Sequence, residues 1–240
     1  KHFSDYRPRI IPRHINRELL GEIFSLGIPI SLTQFLNGAM FTVAAVVVGV
    51  IGAATLAAQQ IVYSVIYLAL SASAALGEAV RVRVAYGIGQ RSVDASHQSA
   101  YISFALAGIT TLGAALILWI FPNALVGIFL DASNANNATV ARISVELSAY
   151  GGMFLLLDGV LIVIANAIRG LRDTRSPLWI SMLGYWAVGL GSGVWLCFPL
   201  GYGAVGLWWG LVAGVVFSNI LMYWRFSYRI ADARKMLATT

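Results

Sequence analysis

The sequence predicts an all-α polytopic membrane protein with a bundle of six transmembrane helices. Of the 240 residues, 59% are hydrophobic and only 11% are charged, against roughly 25% charged residues in typical soluble domains. Six apolar stretches are long enough to cross a bilayer, and basic residues gather in every second connection between them. These observations exclude a soluble globular domain, a disordered chain and a disulfide-rich scaffold.

A membrane-spanning helix needs about 20 predominantly apolar residues. Turn-forming residues separate the candidate stretches, including Gly52, Pro177 and the polar run 131–137. The predicted spans are Phe24–Ile51, Leu56–Val80, Ser99–Phe121, Ile143–Ile168, Leu178–Phe198 and Ala204–Trp224. The domain prediction is a cytoplasmic lead-in over 1–20, a membrane lobe over 21–228 and a cytoplasmic tail over 229–240. Apolar residues recur at helical spacing in 15–24, which fits either a helix on the inner membrane surface or a plain lead-in.

The basic residues predict the orientation of the lobe. Fifteen of the sixteen Lys and Arg residues lie before the first span, in the second–third and fourth–fifth connections, or after the last span; Arg142 is the exception. The positive-inside rule therefore places both termini in the cytoplasm. Because the net charge of +6 is explained by orientation, nucleic acid is not an expected partner, whereas the lipid bilayer is.

Asp158 is the main candidate for a functional residue. It lies ten residues before Ile168, or about 15 Å from the predicted cytoplasmic end of its helix, near the middle of the bilayer. A lone carboxyl group there costs roughly 2.5–3.5 kcal/mol on insertion scales, so it must face a polar cavity or a partner on another helix. It could bind a proton reversibly or coordinate a bare cation such as Na⁺. The alternative is a protonated side chain that only bonds a neighbouring helix.

Four further polar or aromatic residues are candidates for the same site. Phe154 lies one turn before Asp158 and Asn166 two turns after it, so Phe154 could form an aromatic wall for a cation or simply belong to the core. Asn37 and Gln34 lie in the middle of the first span, where they could line a cavity or bond helices together. Glu78 and Arg81 are expected to form an ion pair at the membrane interface. No phosphate-binding loop, metalloprotease motif or nucleophile elbow supports an enzyme, and no cofactor is expected.

The residues around these candidates resemble the MATE family, the multidrug and toxic compound extrusion transporters. The similarity rests on an ordered set of motifs: Leu26-Gly-Ile-Pro29, Gly49-Val-Ile-Gly52, Leu56-Ala-Ala58, Val82-Arg-Val84, the run from Asp158 through Arg169-Gly170 to Pro177, Tyr185-Trp186, and Gly203-Ala-Val-Gly206-Leu-Trp208. The resemblance implies that the chain is the C-terminal six-helix lobe of a twelve-helix transporter. Its partner would be an N-terminal lobe or a second copy.

The resemblance also implies a function. Family members export cationic and amphipathic compounds in exchange for H⁺ or Na⁺, across the inner membrane in bacteria. It assigns Asp158 to cation binding, with small organic cations as cargo. Asn37 stands where many relatives carry Glu, which removes a charge that would help to hold sodium. The alternatives are a lipid-linked precursor flippase or other exporter, and a non-transporting membrane subunit. A flippase would need a charged cavity for phosphate groups, and the unpaired mid-membrane charge here is acidic.

Overall fold

A computed structural model describes residues 17–130 and 137–238 of the chain. The first half contains α1 (Arg17–Ile51), α2 (Ala53–Gly89), α3 (Val93–Ile120) and the short α4 (Pro122–Phe129). The second half contains α5 (Ala138–Gly170), α6 (Arg175–Ser181), a π-helical segment (Met182–Leu190), α7 (Gly191–Cys197) and α8 (Gly203–Ala238). No β-strand occurs over these two ranges, which confirms the all-α prediction.

Six of these helical stretches are long and apolar enough to span a membrane, as predicted: α1, α2, α3, α5, α8, and the continuous stretch Arg175–Cys197. The helices are longer than the predicted spans. Helix α1 begins at Arg17, so the described end of the lead-in shares one helix with the first span, and α8 continues to Ala238 rather than ending near Trp224. Apolar content marks only the part of a helix that lipid surrounds, whereas the helix itself continues into the polar interface. Residues 1–16, with most of the lead-in, lie outside the described residues.

Helix α5 lies at the centre of the bundle and packs against α2, α3 and α8. Glycines on α5 permit this close approach. A Cβ atom added at Gly159 would lie 2.2 Å from Cγ2 of Thr111, and one added at Gly152 would lie 2.3 Å from Nε1 of Trp119. Small residues that let helix backbones approach closely are a main source of packing energy inside a membrane. The glycines of α5 therefore allow the neighbouring helices to surround it closely.

Helix α8 and the fifth span are in backbone contact. A Cβ atom added at Gly210 would lie 2.3 Å from Cα of Gly193, and one added at Gly214 would lie 2.3 Å from the carbonyl oxygen of Gly184. The fifth span adopts π-helical geometry over nine residues in this region, and π-helical turns are frequent at functional sites. The contact holds the π-helical segment, with Tyr185, against the rest of the lobe.

An ion-pair network closes the end of the bundle that carries the basic connections. Asp173, in the link between α5 and α6, accepts hydrogen bonds from Nε and Nη2 of Arg225 on α8 at 2.8 and 2.6 Å. The Ser176 backbone N–H also donates to Asp173, at 3.1 Å. Burial opposes ionisation of Asp173, but these donors and the positive charge of Arg225 outweigh it and hold the pKa of Asp173 below its ordinary value. The network ties the fourth–fifth connection to the last helix.

Candidate functional site

The described residues line a partly open cavity of about 570 Å³ between α1, α2, α5 and the start of the fifth span. It runs from the middle of the bundle towards the end with the basic connections, and both polar and apolar side chains line it. Four of the predicted site residues lie on its wall. The lining residues from the four elements include Gln34, Asn37 and Phe41 on α1, Tyr67 and Glu78 on α2, Asp158, Asn166 and Arg169 on α5, and Tyr185.

Asp158 is 4% exposed and lies on the wall of this cavity. Its carboxylate accepts a hydrogen bond from the hydroxyl group of Tyr185 in the π-helical segment. In the described part of the chain, no Arg, Lys or His nitrogen lies within 4.0 Å of its carboxylate. The side chain therefore points neither at lipid nor at a basic partner, and it has the neutral partner that a buried carboxyl group requires.

Asn37, Gln34 and Asn166 line the same cavity as Asp158. Asn166 already uses part of its hydrogen-bonding capacity, because its Nδ2 donates to the Ile162 carbonyl at 2.9 Å. Its Oδ1 accepts from Nη1 of Arg169 at 3.4 Å. Helix α1 is held beside the site partly by Trp186, whose indole N–H donates to the Leu36 carbonyl at 3.3 Å. The structure thus brings together amides from α1 and α5 that lie far apart in the sequence.

Phe154 is the predicted site residue that the structure does not bring to the cavity. It is 0% exposed and packs edge-on against Phe41 and Trp208, with ring centroids 5.8 and 6.1 Å apart. Phe41 lies between Phe154 and the cavity and lines the cavity in its place. Helical spacing predicts Phe154 on the same side of α5 as Asp158, but the ring of Phe41 from α1 packs against it.

Several cavity residues escaped sequence reasoning. Tyr185 and Tyr67 are aromatic residues in apolar spans, and nothing in their local pattern marks them as neighbours of Asp158. The Glu78–Arg81 ion pair is present as predicted, yet Glu78 also lines the cavity. Arg169 could have been found, because it lies eleven residues after Asp158 and eleven residues complete about three helical turns.

The arrangement suits binding of a positively charged group. Asp158 supplies the negative charge, and the amide oxygens of Asn37 and Gln34 are further potential oxygen ligands in the same cavity. The rings of Phe41 and Tyr67, with centroids 5.1 Å apart, offer aromatic surface to an organic cation. No group of three His, Cys, Asp or Glu residues comes together in 17–130 and 137–238, so a metal ion at Asp158 would depend on neutral oxygens beside that carboxylate.

Known proteins resemble the chain over most of its length. The MatE family model matches residues 29–195. The multidrug resistance protein NorM of Burkholderia vietnamiensis is 36% identical over 233 residues, which are 97% of this chain and 49% of that protein. A probable multidrug resistance protein NorM of Pseudomonas aeruginosa is 34% identical over 215 residues, 90% of this chain and 44% of that protein. The chain spans about half the length of the curated relatives it matches.

Solved structures share the fold at lower identity. A MATE structure in the bent conformation superimposes with a TM-score of 0.84 at 17% identity, over 94% of this chain and 49% of the other. The Vibrio cholerae MATE transporter VcmN in its bent form gives 0.79 at 20% identity, over 97% and 50%. The six helices that can span a membrane and these similarities identify the chain as an integral membrane protein. Its length corresponds to about half of each solved structure. The chain belongs to the MatE family of transporters.

Proposed function

We propose that the chain is the C-terminal lobe of a secondary active antiporter that exports cationic or amphipathic compounds in exchange for H⁺ or Na⁺. The observation that carries the proposal is Asp158, a carboxyl group without a basic partner in the described residues, on the wall of a large cavity at mid-bundle. Intramembrane acids of this kind mark ion and substrate pathways. The similarity to NorM multidrug resistance proteins supports the same function.

The exporter would work by alternating access. Its two lobes would rock about a central site, which opens to each side of the membrane in turn. In this scheme Asp158 binds either the coupling ion or the cationic group of the cargo. Binding at Asp158 can shift the conformational equilibrium only by as much as the ligand's affinities for the two states differ. The Tyr185 hydroxyl, on a different helix, would be affected directly by ligand binding at Asp158, because it donates a hydrogen bond to the same carboxylate.

The missing half of the transporter would complete the pathway. We propose an N-terminal six-helix lobe or a second copy of this chain as the partner, and the bacterial inner membrane as the location. Both termini would face the cytoplasm, in keeping with the basic residues of the connections. As to the coupling ion, Asn37 offers only a neutral amide to a cation at Asp158, which favours H⁺ over Na⁺.

The test is the Asp158→Asn variant in the full-length transporter that contains this lobe. The amide keeps the size of the side chain but removes its ability to ionise, so ion-coupled efflux of a fluorescent organic cation should be abolished while the protein still accumulates in the membrane. Asp94→Asn is the matched control, because Asp94 is an exposed acid that pairs with Arg234 outside the cavity. Wild-type efflux by Asp158→Asn, measured in energised inverted vesicles, would refute the proposal.

A further inference from the structure

Arg169 lies at the opposite end of the cavity from the mid-bundle acid. It is on α5, eleven residues after Asp158, and eleven residues complete about three turns and advance about 16 Å along the axis. The two side chains therefore leave the helix on the same side, and both line the cavity. One cavity thus contains a carboxylate at its mid-bundle end and a guanidinium at its other end.

The guanidinium of Arg169 has spare donors. A guanidinium carries five N–H groups, and the hydrogen bond that Arg169 makes from Nη1 goes to the neutral amide oxygen of Asn166 at 3.4 Å. Its Nε is buried and has no hydrogen-bond partner within the described residues. No carboxylate of that part of the chain lies within 4.0 Å of Arg169. The described residues therefore compensate neither the charge of Arg169 nor all of its N–H donors.

The other charged residues at this end do not supply the missing counter-charge. Glu78 lines the same part of the cavity, but its carboxylate forms an ion pair with Arg81. Two guanidinium groups therefore face one carboxylate, which leaves one net positive charge. A charge without a counter-charge in a low-dielectric site is costly, and an anionic group on a bound molecule would offset that cost. Arg also suits this task because its planar fork can bind a carboxylate through two parallel hydrogen bonds.

We propose that Arg169 is a specificity-determining residue, the core of an anion subsite at the end of the cavity. The preferred ligands would carry an amine, which pairs with Asp158, and a carboxylate, which pairs with Arg169. Because the Arg169 side chain extends back along α5 to Asn166, it shortens the distance of about 16 Å between the two backbone positions, and the two charges of the ligand would lie on the order of 10 Å apart. This inference rests on the proposed function for the role of Asp158. It adds that the lobe also recognises an anionic group on the cargo.

The experiment compares two probes that differ only at the anionic end. One is an aromatic amine with a carboxylate about 10 Å from the nitrogen, and the other is its methyl ester. Binding of each probe to the full-length transporter is measured by fluorescence in proteoliposomes. A charge-assisted hydrogen-bonded pair should make the carboxylate probe bind roughly tenfold to hundredfold more tightly than the ester. Equal binding of the two probes to the wild type would overturn the inference even if no variant folds.

Three variants then locate the effect. In Arg169→Gln the advantage of the carboxylate probe should disappear while binding of the ester is unchanged, and Arg169→Lys should restore part of it. Arg234→Gln is the matched control, because Arg234 is already paired with Asp94 outside the cavity, and it should preserve the discrimination. If Arg169→Gln weakens both probes equally or neither probe, Arg169 is not an anion subsite. Asp158→Asn should weaken both probes; if it weakens neither, the proposed function fails, whatever Arg169 does.

Discussion

Helices α1 and α5 are almost equally apolar, yet the lobe uses them in opposite ways. The mean hydropathy of the most apolar window is 1.9 in α1 and 2.1 in α5, but 17% of that window is buried in α1 and 72% in α5. Their glycines differ as well: an added Cβ atom would meet nothing within 4 Å at Gly21, Gly27 or Gly38 on α1, whereas it would meet neighbours at all four glycines of α5. Hydropathy therefore reports that a helix crosses the membrane, while close contacts decide whether it lies at the centre.

The two helices also divide the cavity between them. Helix α5 supplies two charged residues of the cavity, Asp158 and Arg169, neither of which has an ion-pair partner within the described residues, whereas α1 supplies the neutral amides of Gln34 and Asn37. The charged residues thus lie on α5, which is packed tightly by neighbouring helices. The neutral residues stand on a helix with little of its surface buried in this lobe. This division suggests that α5 fixes the position of the charge and that α1 tunes the shape of the site.

The largest expected difference between the helices is in transport. Whereas Asp158→Asn should abolish efflux, Asn37→Ala should lower the affinity for a cationic substrate only about two- to tenfold, the value of one neutral hydrogen bond. Efflux rates measured against substrate concentration separate the two effects. An Asn37→Ala variant as inactive as Asp158→Asn would show that α1 contributes to the chemistry and not only to the shape of the site.

The next effect concerns the carboxylates near the basic ends of the two helices. Asp173, after α5, is largely buried against Arg225, whereas Glu22 on α1 pairs with Arg172 at the surface. Asp173→Asn should cost about 1.5–3 kcal/mol of stability at neutral pH, as expected for a hydrogen-bonded charge, and Glu22→Gln should cost about 0–1 kcal/mol.

The pH dependence of this effect has a definite sign. Because the pKa of Asp173 is lowered in the folded protein, its contribution is present above the unfolded value, about 3.9, and is lost as the pH falls through the lower folded value. The difference in unfolding temperature between wild type and Asp173→Asn should therefore hold above that pH and shrink below it. A difference that grows on acidification would contradict this assignment.

The last comparison adds a single methyl group to each helix, and the two effects should differ in sign. Gly159→Ala places a Cβ atom against Thr111 and should destabilise the protein by about 1–3 kcal/mol through overpacking. Gly27→Ala on α1 meets no atom and should stabilise it by up to about 1 kcal/mol, since alanine favours the helix. Thermal unfolding in detergent, followed by tryptophan fluorescence, measures both. Equal destabilisation by the two variants would break the distinction between a packed and a peripheral helix.

The sequence predicted the membrane class, the six spans and the family, and it placed Asp158 near the middle of the bilayer. Apolar length and charge distribution are properties of the chain itself, so these predictions need no knowledge of neighbours. Predicting which aromatic residue lines the cavity did require knowledge of the neighbouring helices. Phe154 has the right spacing from Asp158, but Phe41 from α1 covers it, and no pattern within α5 could reveal a helix more than 100 residues away in sequence.

The sequence alone predicts how often the chain crosses the membrane and that one acid lies near the middle of the bilayer. Both predictions follow because lipid selects for apolar length and penalises charge wherever a helix is placed. Only the tertiary structure decided which face of each helix is buried. The glycine contacts around α5 set the rotation and depth of the packed helices, and that packing brings the Tyr185 hydroxyl to Asp158 and opens a cavity from Asp158 to Arg169. Helix rotation depends on contacts between segments remote in sequence, and so the site exists only once the bundle has assembled.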